Sequence, residues 1–152
     1  MIKTKLYNVM VKPDILERTK IVNFLSVNMG EYGDPKAIIR DAISHALKEQ
    51  SFLGGFVLTA YNDKKISGVV VVNQTGIQKF YPENMLVYFA VDNKYSGEDI
   101  KKELLEQTIA MAKGDIAVHV EPDNPLLILF KEAGFTNKYL DLRFSRPKKK
   151  SN

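Results

Sequence analysis

The sequence is poor in the side chains that carry covalent or metal chemistry. It contains no cysteine, so it can form neither a disulfide, nor a thiolate nucleophile, nor a sulfur-ligated zinc or iron site. Its two histidines, His45 in a predicted helix and His119 in a predicted strand, share no metal-ligand spacing. His119 is either a half-buried strand residue or a general base. We therefore expect no metal site, and any chemistry must come from other side chains and from the backbone.

Polar residues also stand where two helices are predicted to begin. Ser96 and Asp99 have the spacing of a capping box, in which side chains bond the free amides of a first helical turn. Asn124 precedes Pro125 and can cap a later helix, which does not prevent it from also donating a hydrogen bond to a ligand. A cap therefore explains both stretches without excluding a binding role.

The rest of the sequence supplies the elements that must position these residues. Apolar residues at helical spacing follow Asp14 and Asp34, which predicts two capped helices. Strands are predicted at 5–11, 56–61, 66–72, 85–91, 116–120 and 139–144, and two further helices at 96–113 and after Asn124. The run at 85–91 is almost wholly apolar, which indicates a central strand covered on both faces. The order predicts an α/β (α+β) fold, with a mixed, twisted central sheet of about six strands flanked by about four helices.

The excess charge is concentrated at the carboxyl end. The net charge is +4, from 22 Lys and Arg against 18 Asp and Glu, and four of the basic residues lie in 146–152. We expect a single domain over 1–145 and a disordered basic tail over 146–152. The neutral body disfavours nucleic-acid binding, although a tail that docks on an acidic partner stays an alternative. No apolar run reaches the roughly 20 residues of a membrane helix, so we expect no membrane association and a cytoplasmic protein.

Four short segments in this order resemble a known family. Ile-Ser-Gly-Val-Val at 66–70 and the apolar run 86–92 look like its third and fourth strands. Val-Glu-Pro-Asp-Asn at 120–124 and Leu-Phe-Lys-Glu-Ala-Gly-Phe at 129–135 are similar to two of its motifs. Together with the order of elements, they resemble the Gcn5-related N-acetyltransferase (GNAT) superfamily over nearly the whole chain.

The resemblance implies an acyl-CoA N-acyltransferase fold and an enzyme. Members of the family transfer an acetyl group from acetyl-coenzyme A (acetyl-CoA), as co-substrate, to a primary amine by direct attack and without a metal. The backbone of the fourth strand would bind the pantetheine arm, and the turn into the next helix would bind the pyrophosphate. The cofactor-binding residues that this implies are Phe89, Ala90, Val91, Ser96, Gly97, Glu98, Asp99, Lys101, Lys102, Asn124 and Phe130.

The sequence departs from the family pattern at the pyrophosphate turn and at one catalytic position. Ser96, Asp99 and Lys101 replace residues of the usual Arg/Gln-x-x-Gly-x-Gly/Ala motif, whose bare amides bind the phosphates. A purely structural cap and a weakened phosphate site are both compatible with this change. Phe130 stands where the family commonly has a tyrosine that protonates the leaving thiolate. Because a thiolate can leave without an acid, we expect slower transfer rather than none.

The general base and the acceptor are the least defined parts of the prediction. The candidates for a catalytic role are Glu31, in the loop that faces the acceptor in relatives, and Tyr88, on the strand where many members have a glutamate. The alternative function is a catalytically impaired GNAT-fold protein that serves as an acyl-CoA sensor or a protein-interaction module. Exposed sheet edges are also compatible with a homodimer.

Overall fold

The structure is a computed structural model that describes residues 2–49, 52–77, 79–94 and 98–148. Five strands and four α-helices lie within these residues, together with one short 3-10 helix at Gly30–Tyr32. In chain order they are β1 (Lys3–Tyr7), α1 (Ile15–Asn28), α2 (Lys36–Ala46), β2 (Gly55–Asn62), β3 (Lys65–Gln74), β4 (Asn84–Val91), α3 (Glu98–Met111), β5 (Ile116–Val118) and α4 (Leu126–Glu132).

The strands form one mixed sheet in the order β1-β2-β3-β4-β5. The first four pair as antiparallel neighbours, whereas β5 pairs with β4 in parallel. A parallel neighbour requires a crossover connection, and α3 provides it. The predicted α/β class, the mixed sheet and the strand-helix-strand unit are therefore confirmed.

The predicted last strand at 139–144 is wrong. The sheet of the described chain ends at β5, and residues 139–144 have no regular secondary structure. The alternation of apolar and polar residues there is typical of a strand, but a strand also needs a neighbour for its backbone hydrogen bonds. Among the described backbone hydrogen bonds, none involves a residue after Phe135.

Two apolar cores cover the two faces of the sheet. On one face α1 and α2 pack against the sheet through Ile21, Leu25, Ile39 and Ile43. On the other face α3 and α4 contribute the buried side chains Leu104, Leu105 and Phe130. From Tyr88 to Val91 successive residues of β4 point to opposite faces, so Tyr88 and Ala90 enter the first core and Phe89 and Val91 the second. Leu86 also enters the second core, because an irregularity in the pairing at Val87 shifts the alternation. The prediction of a strand covered on both faces is confirmed.

One of the two predicted aspartate caps is wrong. Asp14 caps α1, since its Oδ1 accepts a hydrogen bond from the Glu17 amide at 2.7 Å. Asp34 does not cap α2, where Pro35 is the cap residue and no side chain bonds the first turn. The Asp34 carboxylate instead accepts a hydrogen bond from the Tyr88 hydroxyl at 2.6 Å. A tertiary contact has thus replaced the local one that the sequence favours.

Candidate functional site

Strands β4 and β5 are joined at one end and separate at the other. Residues Asn84–Leu86 pair with Ile116–Val118, and the side-chain nitrogen Nδ2 of Asn84 also donates to the Lys113 carbonyl at 2.6 Å. Beyond Leu86, β4 continues to Val91, whereas β5 ends at Val118. On this side the described residues give the second half of β4 no strand neighbour, so its backbone edge is free to bind an extended ligand.

A β-bulge lies at the point where the strands separate. Val71 pairs with Tyr88 and Val72 with Leu86, so Val87 is an extra residue in β4. A bulge bends its strand and changes the direction of the backbone groups around it. Here the bulge lies at the end of the stretch that pairs with β5, where the cleft between the two strands begins.

The cleft is lined mainly by apolar side chains. Its walls come from β4, from the segment that follows β5, from the start of α4 and from the loop after α1. The lining residues are Met29, Tyr32, Leu86, Val87, Phe89, Val118, His119, Val120, Glu121, Asn124, Leu126 and Phe130. Polar atoms nevertheless make up more of the accessible cleft surface than apolar atoms do. The cleft therefore combines apolar side chains with hydrogen-bonding groups, as small-molecule sites usually do.

Phe89 and Phe130 form the floor of the cleft on the α4 side, and Phe135 packs behind them. Phe130 is buried and packs edge-on against Phe89, at a centroid distance of 5.9 Å, and against Phe135, at 5.4 Å. Edge-to-face packing of this kind stabilises a ring in one orientation. Phe130 therefore has a packing role, and phenylalanine has no proton to give to a leaving group.

Polar groups at the cleft edge come from the loops before α2 and before α4. The cap position of α4 is Pro125 and not the predicted Asn124, but the Asn124 Oδ1 still accepts a hydrogen bond from the Leu126 amide, in the first turn, at 2.9 Å. The Tyr32 hydroxyl donates to the Asp123 carbonyl at 3.2 Å and links the two loops. Desolvation, with the nearby charges of Asp123 and Glu31, raises the pKa of Tyr32. The side-chain NH2 group of Asn124 stays available to donate to a ligand, and its oxygen has a second lone pair.

The structure contains a polar cluster around His119 that was not predicted from the sequence. Arg143 Nη2 donates to His119 Nδ1 at 3.0 Å, and Nε2 lies 3.4 Å from the Tyr81 hydroxyl and 3.5 Å from an Asp141 oxygen. Since an arginine can only donate, this hydrogen bond uses Nδ1 as its acceptor. Arg143 also binds Asp141 through two hydrogen bonds of 3.0 Å and lowers the pKa of that carboxyl. Only the spacing of charges in 141–143 hinted at this cluster.

The two predicted catalytic residues lie in different surroundings. Tyr88 is buried in the core under α1 and α2, and its hydroxyl donates to Asp34. Burial, reinforced by that hydrogen bond and the charge of Asp34, raises the pKa of Tyr88 well above its ordinary value. Glu31 is exposed in the 3-10 helix, and its neighbour Tyr32, not Glu31 itself, lines the cleft. Their catalytic roles stay predictions.

The predicted pyrophosphate turn is only partly described. Ser96 and Gly97 lie outside the described residues, and Glu98 is the first residue of α3. Asp99 and Lys102 are exposed and Lys101 is half-buried in the first turns of that helix. The amides at this helix start favour an anion, whereas the Asp99 carboxylate opposes one.

Neither a metal-binding cluster nor a membrane-spanning helix occurs in the described part of the chain. Within 2–49, 52–77, 79–94 and 98–148 there is no group of three or more His, Asp or Glu side chains that could hold a metal ion. No described helix is long and apolar enough to span a bilayer.

Solved structures of other proteins share this architecture. A transcriptional regulator from Bacillus halodurans matches with a TM-score of 0.69 at 15% sequence identity, covering 96% of this chain and 100% of its own. A GNAT-family acetyltransferase from Streptococcus pneumoniae matches with a TM-score of 0.65 at 13% identity, covering 97% and 100%. An aminoglycoside acetyltransferase from an uncultured soil metagenomic sample, in complex with trehalose, matches with a TM-score of 0.63 at 16% identity, covering 97% of each chain.

The chain has the GNAT fold. The resemblance stated from the sequence motifs is thereby confirmed at the level of the fold. No protein-family model matches the sequence, and no curated protein sequence matches it. Among the described residues, the cleft between β4 and β5 combines a free strand edge with mostly apolar lining residues.

Proposed function

We propose that the protein is an N-acetyltransferase that moves an acetyl group from acetyl-CoA to a primary amine. The observation that carries the proposal is the cleft between β4 and β5, with its free β4 edge and its mostly apolar lining residues. The amine nitrogen attacks the thioester carbon, the carbon–sulfur bond breaks, coenzyme A leaves as a thiolate, and a base takes the ammonium proton. No covalent enzyme intermediate is needed, which suits a chain without cysteine.

The free edge of β4 supports binding of the pantetheine arm. An extended amide-containing chain can pair with the backbone of Phe89, Ala90 and Val91 as an added strand. A backbone N–H of this edge would then polarise the acetyl carbonyl and stabilise the negative charge that develops on its oxygen. Phe89 and Phe130 keep water from the reacting carbon because both rings are buried at the cleft floor.

The phosphates of the co-substrate would lie at the start of α3. Lys101 and Lys102 would supply positive charge there, together with the helix amides, and Asp99 would reduce the affinity. Ser96, Gly97 and Glu98 belong to the same proposed site. The amide nitrogen of Asn124 would donate a hydrogen bond to the pantetheine or adenine side.

Two protons must be handled during transfer. Glu31 is our candidate for the base that takes the ammonium proton, directly or through water, because it is exposed in the loop beside the cleft. Tyr88, with its raised pKa, stays protonated at neutral pH and would act as a donor that fixes Asp34 on the acceptor side. The thiolate would leave unprotonated by the enzyme, since Phe130 has no proton to give.

A second candidate function is an acyl-CoA sensor without turnover. Two observations favour it: Asp99 opposes an anion at the start of α3, and Phe130 replaces the usual acid. The sensor would bind acetyl-CoA in the same cleft and present the bound complex to a partner protein.

Calorimetric titration with acetyl-CoA and with free coenzyme A tests both functions. Saturable micromolar binding that is lost in Val120→Trp, which fills the cleft, supports the proposed site. Ile128→Trp, on an exposed part of α4, is the matched control and should bind as the unmodified protein does. Release of free thiol with an amine panel then identifies an enzyme, and binding without release identifies a sensor. No binding up to millimolar concentrations would contradict both.

A further inference from the structure

A second cavity lies between helices α1 and α2. Its volume is about 200 Å³, against about 100 Å³ for the cleft between β4 and β5. The lining residues are Pro13, Ile15, Arg18, Thr19, Val22 and Arg40, and none of them lines the cleft. The proposed acetyl transfer therefore gives this cavity no role.

Two guanidinium groups from different helices line the cavity. Arg18, on α1, forms a two-pronged ion pair with Glu49, in which Nη1 lies 2.7 Å from Oε1 and Nη2 lies 3.2 Å from Oε2. This pair fixes the Arg18 side chain and leaves the other N–H groups of its guanidinium for a ligand. Arg40, on α2, is exposed, and no described hydrogen bond or ion pair involves its guanidinium.

The cavity has an excess of positive charge. None of the lining residues is acidic. Glu49 is the carboxylate that Arg18 binds, and Lys12 Nζ lies 3.7 Å from the same carboxylate. One negative charge therefore faces both Lys12 and Arg18, and the charge of Arg40 is not balanced by any described contact. A bound anion would supply the missing negative charge.

The other lining residues present mainly apolar surface. Pro13 and Val22 are buried, whereas Ile15 is 88% exposed. The Thr19 hydroxyl donates to the Ile15 carbonyl at 2.9 Å, so it has no proton left for a ligand. Among the lining side chains, the arginines are therefore the hydrogen-bond donors. A ligand that covers Ile15 also removes a large apolar side chain from water, which favours binding.

We propose that the cavity between α1 and α2 binds a small organic anion, namely a carboxylate with a short apolar body. The carboxylate accepts hydrogen bonds from Arg40 and from the N–H groups of Arg18 that Glu49 leaves unused, because the planar guanidinium matches the geometry of a carboxylate. The apolar body lies against Ile15 and Val22. An inorganic anion would leave this apolar surface in water, and a neutral apolar molecule would leave Arg40 without a counter-ion.

Chemical-shift titration of the ¹⁵N-labelled protein tests the proposal with three probes, whether or not the protein transfers acetyl groups. Hexanoate has both the charge and the apolar body, 1-hexanol lacks the charge, and inorganic phosphate lacks the apolar body. Hexanoate should shift the amides of 13–22 and 36–46 saturably. It should bind at least about tenfold more tightly than either other probe, as expected when a charge-assisted hydrogen bond is lost or apolar surface stays in water. Equal binding of phosphate or of 1-hexanol would overturn the proposal.

Arg40→Gln distinguishes this site from general attraction to a basic protein. The variant should weaken hexanoate binding at least about tenfold, and it should fold because the Arg40 side chain is exposed. The matched control is Lys20→Gln, which removes an exposed positive charge from α1 outside the cavity and should leave the affinity unchanged. Thr19→Trp, which fills the cavity without changing its charge, should abolish binding. Absence of saturable binding at millimolar hexanoate, or equal affinity in Arg40→Gln, would overturn the proposal.

Discussion

Asp99 places a carboxylate in the first turn of α3, where the helix dipole and free amides favour a negative ligand. If the pyrophosphate binds there, Asp99→Asn should tighten coenzyme A binding by about two- to fivefold, as expected for a charge of this kind. Glu106→Gln removes an exposed charge from the far part of the same helix and should leave affinity unchanged. Calorimetric titration measures the coenzyme A affinity of both variants. An equal effect in the two variants would place the pyrophosphate elsewhere.

Phe130→Tyr tests whether the leaving thiolate lacks an acid. The new hydroxyl would reach the cleft, and we expect the transfer rate to rise up to about tenfold with little change in acetyl-CoA affinity. Phe135→Tyr adds the same group to the neighbouring ring of the aromatic set, which does not line the cleft, and should leave the rate unchanged. A flat rate in Phe130→Tyr would show that thiolate protonation does not limit turnover.

Tyr88 makes the free energy of unfolding decrease as the pH rises in the alkaline range. Its pKa is raised in the folded chain, so the folded state keeps the proton where the unfolded chain loses it. This stabilisation is complete below about pH 10 and decreases as pH rises from there through the raised pKa of the folded protein. We expect Tyr88→Phe to reduce the alkaline fall in the free energy of unfolding, measured by urea denaturation, while the part that comes from the raised pKa of Tyr61 persists. Tyr139→Phe, at an exposed tyrosine, should keep the fall of the unmodified protein.

Individual residues were predicted well where local chemistry decides and poorly where tertiary contacts do. Asp14 and Asn124 bond amides within three residues, and a capping pattern is sufficient to predict such contacts. Asp34 binds Tyr88, which is 54 positions away in the sequence. His119 meets Arg143 across 24 positions. Spacing in the sequence cannot predict partners at that distance.

At the scale of elements, the start of β2 depends on a glycine. Gly55 has a φ of +143°, and a Cβ there would lie 2.0 Å from the Val72 carbonyl oxygen in β3. Gly55→Ala therefore combines backbone strain with a clash that only movement of β2 can relieve. We expect a loss of about 3 kcal/mol or more in the free energy of unfolding, because strain and overpacking each cost about 1–3 kcal/mol.

The control for Gly55 separates strain from the clash. Gly134 has a φ of +107°, but a Cβ added there would meet no atom within 4 Å. Gly134→Ala should cost about 1–3 kcal/mol from strain alone. Equal losses in the two variants, measured by denaturant unfolding, would mean that the contact with Val72 relaxes without cost.

Element order was predictable because apolar periodicity and caps are local signals. The five strands and four helices of the structure all correspond to predicted elements, with ends displaced by a few residues. The exception is 139–144, whose alternation predicts a strand although the described chain offers it no neighbour. The bulge beside the separation of β4 from β5 could not be predicted either, because the residue type of Val87 is ordinary for a strand and only its pairing identifies it as the extra residue.

At the scale of the whole molecule, the two cores and the cleft follow from one topological feature. The crossover through α3 puts β5 beside β4, and the helices on both faces bury the sheet without filling the space where the strands separate. The resemblance to the GNAT superfamily predicted this arrangement, since the order of elements determines it. The acceptor could not be predicted, because loop side chains rather than topology define that side of the cleft.

The short pairing of β4 with β5 also makes the two sides of the sheet differ in how readily they unfold locally. Only three residue pairs join β5 to the rest of the described sheet, so we expect β5 to form a unit that opens more readily by local unfolding than β2 or β3. A ligand that inserts between the strands supplies the missing backbone hydrogen bonds and must be released when this unit opens. Amide hydrogen exchange in 104–118 should therefore slow in proportion to ligand occupancy, while exchange in β2 and β3 changes little.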